Sequence, residues 1–152
     1  MNILLYEDTP QHDFWLKLIL GGVLALTFVL GVLFINEDIG AASAMFGVTL
    51  FDAVLFKLIL PRRFQIFEDK LRILLGGPFA INIPFSNIAD AKSASGSKAF
   101  AYWGIRFATS TRNVVEIVRK KGLNLVISPT HDDMFLEQLN QARWLQSNST
   151  RP

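Results

Sequence analysis

Two long apolar runs, Leu18 to Ile35 and Ile39 to Leu60, follow one another with only Asn36, Glu37 and Asp38 between them. A hydrocarbon core about 30 Å thick is crossed by roughly 20 mostly apolar helical residues rising about 1.5 Å each, and both runs have close to that length. The pattern predicts a transmembrane helical hairpin over residues 14–60, with spans at about 16–35 and 39–60. A short segment, 1–13, precedes it, and everything after it hangs from the second span.

Of the 152 residues, 51% are apolar and 18% charged, where a soluble domain averages about 25% charged. The excess apolarity is confined to the first sixty residues. From Pro61 the chain reads as a water-soluble domain over 61–146 with a polar tail at 147–152; about 90 residues support one small core. The absence of cysteine removes a disulfide framework and thiolate zinc sites. A net charge of +2 is too weak to argue for nucleic acid as a partner.

Short-loop Lys and Arg residues mark the cytoplasmic side of a membrane protein. Lys17 precedes the first span, Lys57 closes the second, and Arg62, Arg63, Lys70 and Arg72 follow, whereas the hairpin turn holds only Glu37 and Asp38. The expectation is a multi-pass protein of the cell membrane with both termini cytoplasmic, Phe14 and Trp15 lying at the interface. Near an anionic leaflet each basic residue contributes about 1 kcal/mol, so these six are candidate membrane-surface contacts as well as topology determinants. The small-residue stretch Ala42-Ser43-Ala44 has the look of a signal-peptide cleavage site, but the N-terminal flank is acidic and a second span follows.

Asp52 lies about fifteen residues from the turn, roughly 22 Å along a straight helix, and so falls within the hydrocarbon. An intramembrane carboxylate costs about 2.5 to 3.5 kcal/mol at mid-span and marks a candidate site. By depth its neighbour on the first helix is Gly22, beside Gly21, where two backbones could approach closely. Asp52 with Thr49 is thus a candidate intramembrane polar site. Its readings are a seam residue paired with Thr49, Lys17 or Lys57, a contact with another membrane protein, or part of an ion or proton pathway in a larger transport complex.

In the soluble part, Phe64 and Ile66, Leu71 and Ile73, and Ile81, Ile83 and Phe85 recur at period two, predicting three meandering antiparallel strands with turns at Glu68-Asp69-Lys70 and Gly76-Gly77-Pro78. A fourth strand starts at Ile88, a small-residue loop covers Lys92 to Ala99, and Tyr102–Thr109, Val114–Arg119 and Leu123–Ser128 follow as strands. The period then changes. Thr130 is placed as an N-cap, Asp132 and Asp133 suit the positive end of a helix dipole, and Phe135, Leu136, Leu139 and Ala142 form one apolar helical face.

Six or seven antiparallel strands closed by one C-terminal helix describe an all-β pleckstrin-homology-like (PH-like) barrel. The chain resembles bacterial membrane-anchored PH-like proteins in which a transmembrane hairpin precedes the barrel. The residues that carry the resemblance are Arg62-Arg63-Phe64, Phe67-Glu68-Asp69-Lys70-Leu71, Ile83-Pro84-Phe85-Ser86-Asn87-Ile88, and Leu125-Val126-Ile127-Ser128-Pro129 followed by Phe135-Leu136-Leu139. It implies an interaction module, and because small proteins with similar domains protect cells from antimicrobial peptides, it also implies envelope defence. Phosphoinositide binding is not carried over, because the first hairpin loop is short and net acidic.

No site for chemistry assembles from the sequence, and no catalytic residue, metal or cofactor is expected. His12 and His131 are far apart, His131-Asp132-Asp133 reads as a capping turn, Gly76-Gly77 lacks the lysine of a phosphate loop, and Ser93, Ser95 and Ser97 have no histidine partner. Phe100, Tyr102 and Trp103 form an aromatic cluster read either as strand core or as an interaction edge. The expected role is a non-catalytic membrane module whose partner is the bilayer, another membrane protein or a second copy of the chain.

Overall fold

Both apolar runs are helical, α1 over Phe14–Phe34 and α2 over Ile39–Ile59. The turn between them is closed by Asp38, whose Oδ1 accepts the backbone N–H groups of Gly40 at 2.8 Å and Ala41 at 3.1 Å, while its carbonyl accepts from Ala42; Asp38 is the N-cap of α2. Only 6% of the residues in each apolar span are buried, which separates both helices from the core helix of a water-soluble domain. The chain therefore has two helices long and apolar enough to cross a membrane. This computed structural model describes residues 3–99 and 103–149.

The helical pair is one unit, residues 14–59, and the second unit joins the segment ahead of α1 to everything from Leu60 onward. In the second unit a first sheet has the order β1-β2-β3-β4, with β1 at Leu4–Asp8, β2 at Pro61–Phe67, β3 at Lys70–Leu75 and β4 at Ala80–Pro84, all antiparallel. The second sheet has the order β5-β7-β8-β6, with β5 at Ile88–Ala94, β6 at Ile105–Phe107, β7 at Val114–Arg119 and β8 at Leu125–Ile127. Here β5–β7 and β7–β8 are antiparallel and β6–β8 is parallel. Helix α3, Asp132–Ser149, follows.

The PH-like barrel is not formed. The two sheets share no strand, and neither closes on itself. The break falls at Pro84, whose φ of −64° and missing N–H end the ladder, and at the 3-10 turn Phe85–Asn87. Phe85 N donates to the Asp69 carbonyl beside the first sheet, and Asn87 accepts from the Lys120 N–H beside the second. The chain thus steps from one sheet to the other instead of continuing a single curled one. The expected all-antiparallel order fails a second time at β6, which pairs in parallel with β8 and not with β7.

Both sheets and α3 contribute to one core. Phe64, Ile66, Leu71, Ile73 and Ile83 come from the first sheet, Ile88, Val115, Ile117, Leu125 and Ile127 from the second, and Phe135, Leu139 and Ala142 from α3. The period-two alternation is the cause: in β2 and β3 the core residues alternate with Arg63, Gln65, Lys70 and Arg72. Phe135 stands edge-on to the rings of Phe64 and Tyr6, 6.2 and 6.4 Å between centroids. Helix α3 runs to Ser149, beyond Gln146 where the sequence pattern ends.

Candidate functional site

In the helical pair the seam is set by small and hydroxylated residues. Gly31 and Ala42 are buried, and a Cβ on Gly31 would lie 2.9 Å from the Phe46 ring, so glycine is what admits that ring; Phe28 packs edge-on against it at 5.6 Å. The close approach expected at Gly21 and Gly22 lies here instead, since both of those glycines face open space. Thr49 Oγ1 lies 2.8 Å from Thr27 Oγ1 and 2.9 Å from the Met45 carbonyl. Asp52 is half-buried one turn beyond Thr49 and makes no hydrogen bond or ion pair among the described residues. Counted from the Thr27–Thr49 contact it falls level with Leu24 rather than Gly22.

The six basic candidates are divided between the two units. Lys17 and Lys57 are exposed on α1 and α2. In the other unit Arg63 is tied to Glu7 at 2.7 Å, and Lys70 lies 4.0 Å from Asp69 and 5.6 Å from the centre of the Phe67 ring. Arg72 stands in register between Gln65 and Asn82, with a buried Nε that has no hydrogen-bond partner among the described residues. Arg62 is exposed at a register shift in β2. Arg63, Lys70 and Arg72 therefore share the outer face of the first sheet, where Glu7 offsets part of their charge. Of the aromatic cluster, Phe100 and Tyr102 lie outside the described residues, and Trp103 is 95% exposed.

A polar seam that the sequence reading missed lies where residues 8–13 cross the loops after β6 and β8. Asp8, itself buried, accepts the backbone N–H groups of Thr9 at 2.7 Å and His131 at 2.9 Å, and His131 Nδ1 is 3.5 Å away. The His131 carbonyl accepts the first helical bond from Phe135, so His131 is the N-cap of α3 and the Asp8 carboxylate sits at the positive end of its dipole. Thr130, expected in that role, instead donates through Oγ1 to the Thr9 carbonyl at 2.8 Å. Ser128 Oγ accepts the N–H groups of Thr109 and Ser110. Asp13 accepts from Ser110 Oγ at 2.7 Å, Thr111 N at 2.7 Å and Thr111 Oγ1 at 3.0 Å. Two acids thus fasten a segment that would otherwise be a free arm.

A second buried carboxylate, Glu116 on β7, lies 2.6 Å from Lys98 Nζ and 3.9 Å from Lys92 Nζ. Its signal was available: β7 reads Val-Val-Glu-Ile-Val-Arg, and an acid inside so apolar a strand needs a partner. The seam had no comparable local signal, because the contacts of Asp8 with His131 and of Asp13 with Ser110 and Thr111 join parts of the chain far apart in sequence. Among the described residues no group of three or more His, Cys, Asp or Glu is placed to hold a metal. No protein-family model, curated protein or solved structure matches the chain.

Proposed function

We propose that this chain is a non-catalytic, multi-pass protein of the cell membrane whose helical pair spans the bilayer and whose β-rich unit serves as an interaction module on the cytoplasmic side. The observation that carries the reading is the exposure of two 21-residue apolar helices: in water that surface would drive aggregation, and in lipid it needs no further cover. The distribution of Lys17, Lys57, Arg62 and Arg63 against Glu37 and Asp38 supports termini inside and turn outside. A binding role rather than catalysis is supported by the use of the buried polar groups, since Asp8 and Ser128 accept from backbone N–H groups. The partner is the anionic leaflet, another membrane protein or a second copy, and envelope defence is one setting for such a module.

The test has two parts. After carbonate washing the chain is expected in the membrane pellet, and a cysteine placed at Asn36 is expected to react with an impermeant thiol reagent on intact cells while one at Ser147 does not. Recovery in the wash overturns the anchor, and labelling at Ser147 alone overturns the orientation.

A second reading rests on Asp52, the half-buried acid on α2 with no bonding partner among the described residues. In it the chain is an auxiliary subunit of a transport or ion-handling complex and Asp52 faces another helix. Asp52→Asn would then abolish coupled transport, whereas under the first reading it leaves partner binding intact.

A further inference from the structure

The β-rich unit holds a cleft of about 520 Å³, within the range of roughly 300 to 1,000 Å³ common to small-molecule sites. Its walls are the turn entering β5, with Phe85 and Ser86, the turn after β7, with Lys120, and the last turns of α3, with Asn140, Arg143 and Trp144. Among the described residues no acidic side chain lines it. Arg143 is held rather than neutralised: its Nη2 donates to the carbonyls of Ile88 at 3.2 Å and Ala89 at 3.0 Å, and its Nη1 to Asn140 Oδ1 at 3.4 Å. Of five guanidinium donors these contacts leave two, and every acceptor is neutral, so the full charge persists. Lys120 is exposed and has no ion-pair partner among the described residues. Two unit charges outweigh the roughly half negative charge at the C-terminal end of α3.

Beside these cations Trp144 leaves 63% of its surface exposed, although an indole of that size is among the side chains most worth burying. A flat apolar group laid on the indole, with its charge against Arg143 and Lys120, would cover that surface and satisfy the cations at once.

We propose that this cleft is a binding site for an organic phosphate: the phosphate group bridges Arg143 and Lys120 through charge-assisted hydrogen bonds, and the organic part rests on Trp144. The site stands independently of the membrane reading, because all of its residues belong to the β-rich unit. The same phosphate chemistry is offered by a soluble monoester and by a lipid headgroup.

The experiment uses the full chain in phosphatidylcholine nanodiscs, with Trp15→Phe and Trp103→Phe so that Trp144 is the sole indole. Titration with phenyl phosphate is expected to give a saturable change in Trp144 emission, with weaker binding of inorganic phosphate and none of phenol. Lys120→Gln, at an exposed position, should weaken binding about tenfold without moving the unfolding midpoint, as expected for loss of one hydrogen bond to a charged group. Arg143→Lys should weaken it further by losing the planar fork. Replacing part of the phosphatidylcholine with phosphatidylglycerol separates the sources: competition with phenyl phosphate assigns the site to a lipid headgroup, and its absence to a soluble ester. No saturable change at millimolar phenyl phosphate, or equal affinity in Lys120→Gln, overturns the proposal, and neither result bears on whether the chain fractionates with membranes.

Discussion

Leu26 and Phe51 in the helical pair are 61% and 65% exposed, whereas Phe64 and Phe135 in the β-rich unit have no exposed surface. The two units use the same residue types turned in opposite directions. Their polar groups are inverted in the same way: the hairpin keeps Thr27 and Thr49 together at its seam, and the β-rich unit buries Asp8, Glu116 and Ser128 where hydrogen bonds or lysines meet them. The β-rich unit hides its large apolar side chains and the helical pair exposes them, so a given substitution has different consequences in each.

The sharpest break in that comparison comes from truncating aromatics. Phe135→Ala removes a ring packed against Phe64 and Tyr6 and should lower the stability of the β-rich unit by about 3 to 5 kcal/mol, read as a fall in the denaturant midpoint of the full chain in detergent. Phe51→Ala should leave that midpoint where it is. A shift with Phe51→Ala, or none with Phe135→Ala, would mean that the division into two differently solvated units is wrong. A somewhat smaller effect is expected at Leu26, near the middle of α1, where Leu26→Arg places a charge in hydrocarbon at a cost of about 2.5 to 3.5 kcal/mol. The measurement is the fraction of chain retained in carbonate-washed membranes; full retention would show that this face meets a polar surface.

Most elements of the two units were legible along the chain, and their assembly was not. The hairpin could be read because twenty apolar residues are a local signal, and β2, β3 and β4 because period-two alternation joined by Glu68-Asp69 and Gly76-Gly77-Pro78 is local too. β1 was missed for the opposite reason: Leu4–Asp8 is five residues long, two of them acidic, and pairs with β2 across the whole hairpin, Leu4 meeting Phe67. The barrel failed on the same kind of fact. Strand order depends on where the chain changes sheets, and Pro84 to Ile88 reads equally well as a bend within one sheet. In the candidate sites Asp52 announced itself by its apolar surroundings, whereas Lys120 lies too far in sequence from the adjacent Arg143 and Trp144 to carry a joint signal with them.

Between the core and the surface lies the polar seam, and it tests whether the arm ahead of α1 belongs to the β-rich unit energetically as well as geometrically. Asp13→Ala leaves Ser110 Oγ and the Thr111 N–H without their acceptor, which should cost about 1 to 3 kcal/mol. Amide exchange at Ser110 and Thr111 should accelerate before that of β2 and β3. The same reasoning predicts that a fragment beginning at Pro61, which lacks β1, Asp8 and Asp13, is less stable than one in which residues 3–13 are joined to it. Equal stability of the two fragments would show that the arm is carried by the fold without supporting it.

The smallest effect concerns Tyr6 on β1, whose phenol is pushed above its ordinary value of 10.0 by burial first and then by the nearby Asp8 carboxylate. The folded chain holds this proton more tightly than the unfolded chain does, so the contribution is complete below pH 10.0 and is lost as pH rises through the folded value. Tyr6→Phe has no proton to lose. Its stability should therefore differ from that of the parent by a constant amount below the ordinary tyrosine value, reflecting only the hydroxyl contact, and the difference should shift toward Tyr6→Phe as pH climbs beyond it. Because Tyr6 is only half-buried, solvent screens both causes and the change should be smaller than that of any substitution above. Denaturant midpoints of the two proteins across the alkaline range decide the matter: parallel curves would mean that the ring at the edge of the first sheet is as open to water in the folded chain as in the unfolded one.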